Sequence, residues 1–222
     1  MTKLNFTKNK FCILQNVLSK DVAYFMYNYL LLKRQVASTF YKTNYLSKPY
    51  EEWGVWNDTQ VPNTYSLYSD LVMETLLAML LSDVEKVTKL KLSPNYSYTR
   101  VYKKGDVLHR HKDRFSCEIS TTLNLGGELW PIYLSPKQNV GIPDGKKITY
   151  TSNAKGIKVN LKPGDMLVYR GMELEHWREP FEGESCAQVF LHYNNLKTKG
   201  SKENLFDTRP HLGLPTYFRK NK

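Results

Sequence analysis

The sequence predicts an α+β fold that is mainly β: a β-sandwich or jelly roll with helices packed on one outer face. Three observations lead to this prediction. Two segments in the first 93 residues have apolar residues at helical spacing. After Pro94 the apolar residues alternate, as in strands with one buried face. Turn residues, notably Gly126-Gly127 and Pro163-Gly164-Asp165, then separate several short strand-like runs.

Two helices are predicted before the strands begin. The first spans residues 19–34, and either Ser19 or Asp21 can cap its N-terminus. The second spans residues 69–90 and begins at a Ser-Asp pair. Its apolar residues recur at helical spacing and predict one broad buried face, formed by Leu71, Met73, Leu76, Leu77, Leu80, Leu81, Val84 and Val87.

The segment between the two helices is predicted to be irregular. Residues 40–65 are rich in Tyr, Trp, Asn and Pro, which do not repeat at a helical or strand period. Since loops often cover active sites, we expect the stretch from Trp53 to Tyr68 to form a lid over the functional site.

The remaining chain divides into a β core and an extension. We expect residues 1–93 to be a helical and irregular segment packed on the core, residues 94–196 to be the core, and residues 197–222 to be a basic C-terminal extension. Short strands are predicted in the core at 96–102, 107–113, 116–125, 128–134, 148–152, 157–161, 166–170, 173–177 and 187–194.

The net charge of +11 favours acidic partners, including nucleic acid, but indicates no chemistry. Part of this charge lies from Lys197 onward, where seven Lys or Arg residues stand against Glu203 and Asp207. We interpret this stretch as a solvated basic tail in preference to a nucleic-acid clamp, since no nucleic-acid-binding signature accompanies it.

The cysteines and the apolar runs indicate the cellular setting. Cys12, Cys117 and Cys186 are an odd number of widely spaced cysteines, which argues for reduced thiols and against a disulfide scaffold or a structural zinc site. The run from Val22 to Leu32 is too short to cross a bilayer and too polar at its flanks for a secretory signal. We therefore expect a cytoplasmic protein with no membrane partner.

The histidines suggest a metal site. His109, His111 and Asp113 lie two apart and share one face of a strand, and His176 follows some sixty residues later, after a Pro-Gly-Asp turn and an apolar strand. Two imidazoles and one carboxylate form the facial triad of non-haem Fe(II) oxygenases, which leaves positions open for a cosubstrate and O2. Spacing alone leaves the pair His109 and His111 equivalent to His111 and Asp113. We choose His111, Asp113 and His176, because three histidines would suit zinc better.

The order of these features fits a double-stranded β-helix with metal ligands on its second and seventh strands, and it resembles a known family. Residues 94–195 are similar to the prolyl-4-hydroxylase-like branch of the 2-oxoglutarate/Fe(II)-dependent dioxygenase superfamily. The matching pieces are the strand 116–125, the distal His176, and the motifs Tyr102-x-x-Gly105-x-x-x-x-x-His111-x-Asp113 and Lys162-Pro-Gly-Asp-Met-Leu-Val-Tyr169.

The resemblance implies a cupin-like jelly roll and a chemistry. It implies that Fe(II), 2-oxoglutarate and O2 are used, with ascorbate as an accessory reductant. It further implies that oxidative decarboxylation of 2-oxoglutarate is coupled to hydroxylation of a C–H bond, with a prolyl-like residue of a peptide or protein as substrate. The metal ligands would also be the catalytic residues.

One departure from the family concerns the cosubstrate. Its members carry Arg or Lys nine to ten residues after the distal histidine, to pair the far carboxylate of 2-oxoglutarate, but Ser185 and Cys186 stand there in this chain. Arg178, two residues past His176, and Arg100, two before Tyr102, are the alternatives, because guanidinium suits a bidentate grip on carboxylate. Tyr102 itself matches a tyrosine that contacts the cosubstrate in the family.

Three functions therefore stay open. The first is a hydroxylase of a peptidyl, prolyl-like residue. The second, motivated by the basic charge, is an oxygenase that acts on nucleic acid. The third is a non-catalytic β-helix module that binds metal or nucleic acid.

Overall fold

A computed structural model describes residues 5–46, 50–135, 142–144, 147–149 and 154–220. Its α-helices are α1 (Phe6–Asn9), α2 (Lys20–Lys42), α3 (Leu71–Met79) and α4 (Leu81–Thr88). Its strands are β1 (Phe11–Leu14), β2 (Tyr65–Tyr68), β3 (Leu92–Tyr102), β4 (Leu108–His111), β5 (Ile119–Gly127), β6 (Ile132–Leu134), β7 (Ile142–Asp144), β8 (Lys147–Thr149), β9 (Ile157–Val159), β10 (Met166–Arg170), β11 (His176–Arg178) and β12 (Cys186–Asn195).

Two antiparallel sheets form the body of the protein. The larger has the order β1-β10-β5-β12-β3-β2, and the smaller has the order β4-β11-β6-β9. From β3 onward the chain alternates between the two sheets, except that β6 and β9 both belong to the smaller sheet, where they pair with each other on either side of the separate β7–β8 hairpin. Apolar clusters join the facing strands, for example Leu167 and Tyr169 of the larger sheet with Ile132 and Leu134 of the smaller one. This alternation is the double-stranded β-helix that the order of motifs predicts, and β4 and β11 are its second and seventh strands.

The helices cover the outer face of the larger sheet, as predicted. Ala23, Met26 and Leu30 of α2 pack with residues of α3 against the alternate positions of β5 and β12 that point away from the smaller sheet. The helix α2 continues to Lys42, eight residues beyond the predicted end. The second predicted helix is divided at Leu80, whose N–H still bonds Leu76 and whose carbonyl still accepts from Val84.

The strand predictions differ from the structure mainly at the edges. Two strands that were not predicted, β1 and β2, form the two edges of the larger sheet. The predicted strand 173–177 begins only at His176, because the preceding residues form a turn in which Leu174 N–H bonds the Arg170 carbonyl. The predicted strand 148–152 overlaps β8, and its residues 150–152 lie outside the described residues.

The interpretation of the C-terminal segment as a solvated tail is wrong. Residues 201–220 pack on β3 through turns, and Asp207 and Arg209 are buried. Arg209 pairs with the buried Glu74 at 2.8 Å, and Asp207 pairs with Arg114 at 2.9 Å. Charge counts alone cannot reveal this, because Glu74 lies 135 residues from Arg209 along the chain, and Arg114 lies 93 residues from Asp207.

In the described part of the chain, no helix has both the length and the apolar character needed to cross a bilayer. Cys12, Cys117 and Cys186 are free thiols, and all three are buried.

Candidate metal centre

Two antiparallel strands bring the predicted ligands together. His111 ends β4 and His176 begins β11, and the two residues stand directly opposite each other in the ladder. Asp113 follows β4, with its Oδ1 3.5 Å from His176 Nε2 and 3.8 Å from His111 Nε2. One ligand atom from each of the three side chains lies within 4.8 Å of the other two. Such a cluster has the size and the donor types of a facial triad.

Both imidazoles are oriented by the backbone. His111 Nδ1 lies 2.7 Å from the carbonyl of His109, and His176 Nδ1 lies 3.0 Å from the carbonyl of Leu174. A carbonyl can only accept, so each Nδ1 carries the proton and each Nε2 presents a lone pair toward Asp113. Hydrogen bonds of this kind fix the tautomer and the ring orientation of metal-binding histidines.

The Asp113 carboxylate is positioned by residues that the sequence did not single out. The Ser120 hydroxyl is 2.6 Å from Asp113 Oδ2 and also lies 3.1 Å from His192 Nδ1. The Asp113 N–H donates to the carbonyl of Gly171 at 2.9 Å. A Cβ at Gly171 would lie 2.2 Å from Asp113 Oδ2, so only glycine leaves room for this carboxylate. No sequence spacing points to Ser120 or Gly171, because they come from β5 and from the turn after β10.

The charge states of these groups suit metal binding. Burial, and next the proximity of His176, lower the pKa of His111 to about 4. Burial also lowers the pKa of His192 to about 4. Burial alone would raise the pKa of Asp113, but His176 and His111 outweigh it and hold that pKa below its usual range. At neutral pH His111 therefore offers a neutral imidazole and Asp113 an ionised carboxylate, which are the states that bind metal.

His109 does not join this cluster. Among the described residues its side chain is not one of the groups whose ligand atoms converge, and it is exposed. Strand parity made His109 equivalent to Asp113, but Asp113 lies beyond the end of β4, where parity no longer applies. The alternative pair of His109 and His111 therefore lacks geometric support.

The cluster opens into a cavity of about 510 Å³ between the two sheets, a size typical of small-molecule sites. Most of its lining residues outside the cluster are polar or aromatic, and Leu108 and Ile132 are aliphatic. The full set is Asp58, Thr59, Gln60, Tyr96, Tyr98, Arg100, Leu108, Cys117, Ile132, Tyr169, Phe190 and His192. Of the segment expected to form a lid, residues 58–60 line the cavity. The end of the expected lid segment, residues 65–68, is the edge strand β2.

Arg100 lies in the cavity wall and is engaged by residues 58–60. Its Nε lies 2.6 Å from Asp58 Oδ2, and one of its terminal nitrogens donates to Gln60 Oε1 at 2.6 Å. The Tyr98 hydroxyl also donates to Asp58, at 2.9 Å. A second guanidinium nitrogen lies 3.4 Å from the Tyr102 hydroxyl. Arg100 therefore fastens the residues of the expected lid to β3.

Arg178 differs from Arg100 because it is a buried cation without an acidic partner. It is 1% exposed, and no carboxylate of the described residues pairs with it. One terminal nitrogen donates to the carbonyl of Trp130, the other lies 3.3 Å from Thr122 Oγ1, and Nε has no hydrogen-bond partner among the described groups. Burial lowers its pKa, although Tyr102 and Cys186 partly oppose this. An unpaired guanidinium buried between the two sheets destabilises the fold unless an anion binds to it.

Comparison with known proteins identifies the fold. No family model matches the chain, and no curated protein matches it in sequence. Solved structures do match, and they show that the chain has the double-stranded β-helix of 2-oxoglutarate-dependent oxygenases.

Three of these structures illustrate the range. A Pseudomonas putida prolyl-4-hydroxylase matches with a TM-score of 0.50 and 16% identity, over 86% of this chain and 95% of that one. Streptomyces hygroscopicus HygX, with nickel and 2-oxoglutarate bound, matches with a TM-score of 0.56 and 16% identity, over 86% of this chain and 85% of that one. SnoN, a non-haem α-ketoglutarate-dependent epimerase from nogalamycin biosynthesis, matches with a TM-score of 0.57 and 11% identity, over 86% of this chain and 80% of that one.

Proposed function

We propose that this protein is an Fe(II)- and 2-oxoglutarate-dependent dioxygenase with His111, Asp113 and His176 as its metal ligands. The observation that carries the proposal is the convergence of these three side chains, within 4.8 Å, in the wall of a cavity in this fold. Two histidines and one carboxylate are the ligand set of non-haem iron oxygenases, and a facial arrangement leaves sites for the cosubstrate and O2. The nickel and 2-oxoglutarate bound in HygX support the same assignment.

Bound iron, with 2-oxoglutarate and O2, would supply an oxidant strong enough to attack an unactivated C–H bond. The protein holds the ligands in place through the backbone carbonyls behind both imidazoles and through Ser120 behind Asp113. Residues 58–60, fastened by Arg100, close one side of the cavity and limit the access of water to it.

Arg178 is our choice for the far carboxylate of 2-oxoglutarate. It follows His176 by two residues on β11, and both side chains are buried toward the larger sheet, where Arg178 meets Thr122. The small Cys186, at the position of the usual basic residue, lies close enough to influence the Arg178 pKa. We infer that Cys186 leaves the space that the Arg178 guanidinium occupies, so the cation comes from β11 instead of β12.

Tyr102 and Arg100 complete the proposed cosubstrate site. Tyr102 is fully buried, and the charges of both Arg178 and Arg100 act on its hydroxyl. It can therefore donate a hydrogen bond to a carboxylate held by Arg178. Arg100 is the less favoured candidate for the carboxylate anchor, because its charge is already neutralised by Asp58.

For the substrate we propose a prolyl-like residue of a peptide or protein. Tyr96, Tyr98 and Phe190 give the cavity an aromatic wall that suits a small apolar ring. The P. putida prolyl-4-hydroxylase shares the fold, which supports this choice. SnoN is an epimerase with the same fold, so the reaction outcome has to be measured directly.

An assay with Fe(II), ascorbate and 2-oxoglutarate tests the proposal. We expect succinate to form, and to form faster with proline-containing peptides, whose mass should rise by one oxygen atom. Oligonucleotides serve as the parallel arm, since the charge of +11 makes nucleic acid the alternative substrate. Absence of both succinate and Fe(II) binding would overturn the oxygenase assignment and favour a non-catalytic module.

A further inference from the structure

A buried tyrosine and a buried cysteine meet in the wall of the proposed active-site cavity. The Tyr96 hydroxyl oxygen lies 3.0 Å from Cys117 Sγ. Tyr96 belongs to β3, and Cys117 ends a single 3-10 turn, Phe115–Cys117, between Asp113 and Ser120. Both side chains line the same cavity as the three proposed metal ligands. Tyr96 also belongs to the aromatic wall proposed for the substrate, whereas Cys117 has no role in the sites described above.

The Tyr96 ring is held on several sides. It stacks on Tyr68 with ring centroids 5.1 Å apart, and the His192 ring lies 4.6 Å away. The Arg114 guanidinium lies 4.8 Å from the ring centre. These contacts keep the phenol from rotating away from Cys117, so the two side chains are held next to each other.

The environment also selects how this pair can react. Burial raises the pKa of the Cys117 thiol, and burial raises the pKa of Tyr96 well above its usual value. Both groups are therefore protonated at neutral pH. A buried, protonated thiol is a poor target for dissolved oxidants, which attack thiolates. Abstraction of hydrogen atoms by an oxidant generated within the cavity does not have this requirement.

We propose that Cys117 and Tyr96 form a thioether cross-link when the enzyme turns over without substrate. The inference rests on the proposed oxygenase function. The S–H bond of Cys117 and one ring C–H bond of Tyr96, next to the hydroxyl, break, and an S–C bond forms between these atoms. The two hydrogen atoms leave in water: thiol, phenol, 2-oxoglutarate and O2 give the cross-link, succinate, CO2 and one H2O.

Such a link would stabilise the metal site. It would tie β3 to the turn that follows Asp113, and the Cys117 carbonyl in that turn is 3.0 Å from Ser120 Oγ. Ser120 in turn contacts the Asp113 carboxylate. The cross-link would therefore restrain the segment that positions Asp113, at the expense of one 2-oxoglutarate molecule per chain.

Intact-mass measurement tests the proposal directly. Protein purified from iron-depleted cells is incubated with Fe(II), 2-oxoglutarate, ascorbate and O2, with anaerobic and iron-free samples alongside, and succinate is measured in each. We expect the complete mixture to lower the mass by two hydrogen atoms. Thiol titration after denaturation should fall from the three free cysteines to two, and proteolysis should yield one linked peptide pair containing Tyr96 and Cys117.

Variants distinguish the cross-link from other oxidation. Tyr96→Phe, which keeps the ring but lacks the hydroxyl, and Cys117→Ser should both abolish the mass loss. Cys12→Ser, at a buried cysteine in the cluster under the helices, should retain it. Succinate formed with unchanged mass, or with oxygen atoms added to Cys117, overturns the cross-link and leaves the oxygenase function standing. Absence of succinate and of Fe(II) binding overturns both.

Discussion

The Asp113 carboxylate shows how the site depends on residues that do not bind metal. Ser120 contacts one carboxylate oxygen, and the other faces the two histidines. The Gly171 carbonyl accepts a hydrogen bond from the Asp113 N–H, and the absence of a side chain at Gly171 leaves the space that the carboxylate needs. The three ligands could be proposed from the sequence because the residue types and the order of the surrounding turns restrict them, whereas strand parity alone did not separate Asp113 from His109. Ser120 and Gly171 could not, because only the tertiary fold brings them to Asp113.

Removing the Ser120 hydroxyl should weaken metal binding without unfolding the protein. Ser120→Ala leaves Asp113 Oδ2 without this contact, and loss of such a supporting hydrogen bond typically costs about 10–100-fold in metal affinity. Anaerobic titration with Fe(II) measures the effect. Thr121→Ala, at the neighbouring buried position on the same strand, is the matched control and should bind Fe(II) as the wild type does. Equal affinity of the Ser120 variant and this control would contradict the role assigned to Ser120.

Replacing Arg178 should raise the requirement for 2-oxoglutarate. Hydrogen bonds to charged groups contribute about 1.5–3 kcal/mol, so Arg178→Gln should increase the KM for 2-oxoglutarate roughly 10- to 100-fold. Arg178→Lys keeps the charge and should show a smaller increase. Arg100→Gln serves as comparison, because Asp58 already pairs with that guanidinium. A larger KM increase for the Arg100 variant than for the Arg178 variant would show that the anchor was assigned to the wrong arginine.

At the scale of elements, the order of strands was predictable but the edges and turns were not. Period-two patterning after Pro94 identified the core strands, because their side chains alternate between two environments. Both faces of β2 are buried, so Tyr65–Tyr68 does not alternate and was absorbed into the expected lid. The part of the expected lid that lines the cavity is therefore shorter than predicted. Only its residues 58–60 belong to the described lining, and the ion pair between Asp58 and Arg100 holds them there.

Breaking that ion pair should loosen residues 55–61 selectively. Asp58→Asn removes a charge-assisted contact worth about 1.5 kcal/mol or more, which corresponds to roughly tenfold faster local opening. Hydrogen exchange measured by mass spectrometry should show faster exchange in this segment and unchanged exchange in β3. Glu85→Gln, whose carboxylate pairs with the exposed Lys91, is the control. Unchanged exchange in residues 55–61 would show that the ion pair between Asp58 and Arg100 does not hold this segment in place.

At the scale of the whole molecule, the C-terminal segment belongs to the folded body. Glu74 on α3 accepts from Arg209, and both side chains are almost completely buried. Arg209 also donates to the Asn95 carbonyl on β3 at 3.0 Å. The segment therefore links the helical layer to the larger sheet. Composition predicted a basic extension, but the burial of Arg209 depends on Glu74, a pairing across 135 residues that no local pattern reveals.

Truncating Arg209 should destabilise the whole fold. Arg209→Met leaves Glu74 buried without its cation, and breaking a buried ion pair in this way typically costs about 3–5 kcal/mol. Urea unfolding gives the difference in unfolding free energy. Lys202→Met, at an exposed position of the same segment, should change that free energy little. A loss below about 1 kcal/mol for the Arg209 variant would fit a peripheral tail and contradict the packed segment.

The central claim, that His111, Asp113 and His176 hold iron and 2-oxoglutarate, can be tested without knowing the substrate. Anaerobic Fe(II) protein is titrated with 2-oxoglutarate, and the visible absorption of an Fe(II) chelate with a 2-oxo acid is recorded. We expect the wild type and His109→Ala to develop the band at one equivalent, and Asp113→Ala and His176→Ala to lack it while remaining folded by circular dichroism. A full band in Asp113→Ala, or its loss in His109→Ala alone, would contradict the assignment.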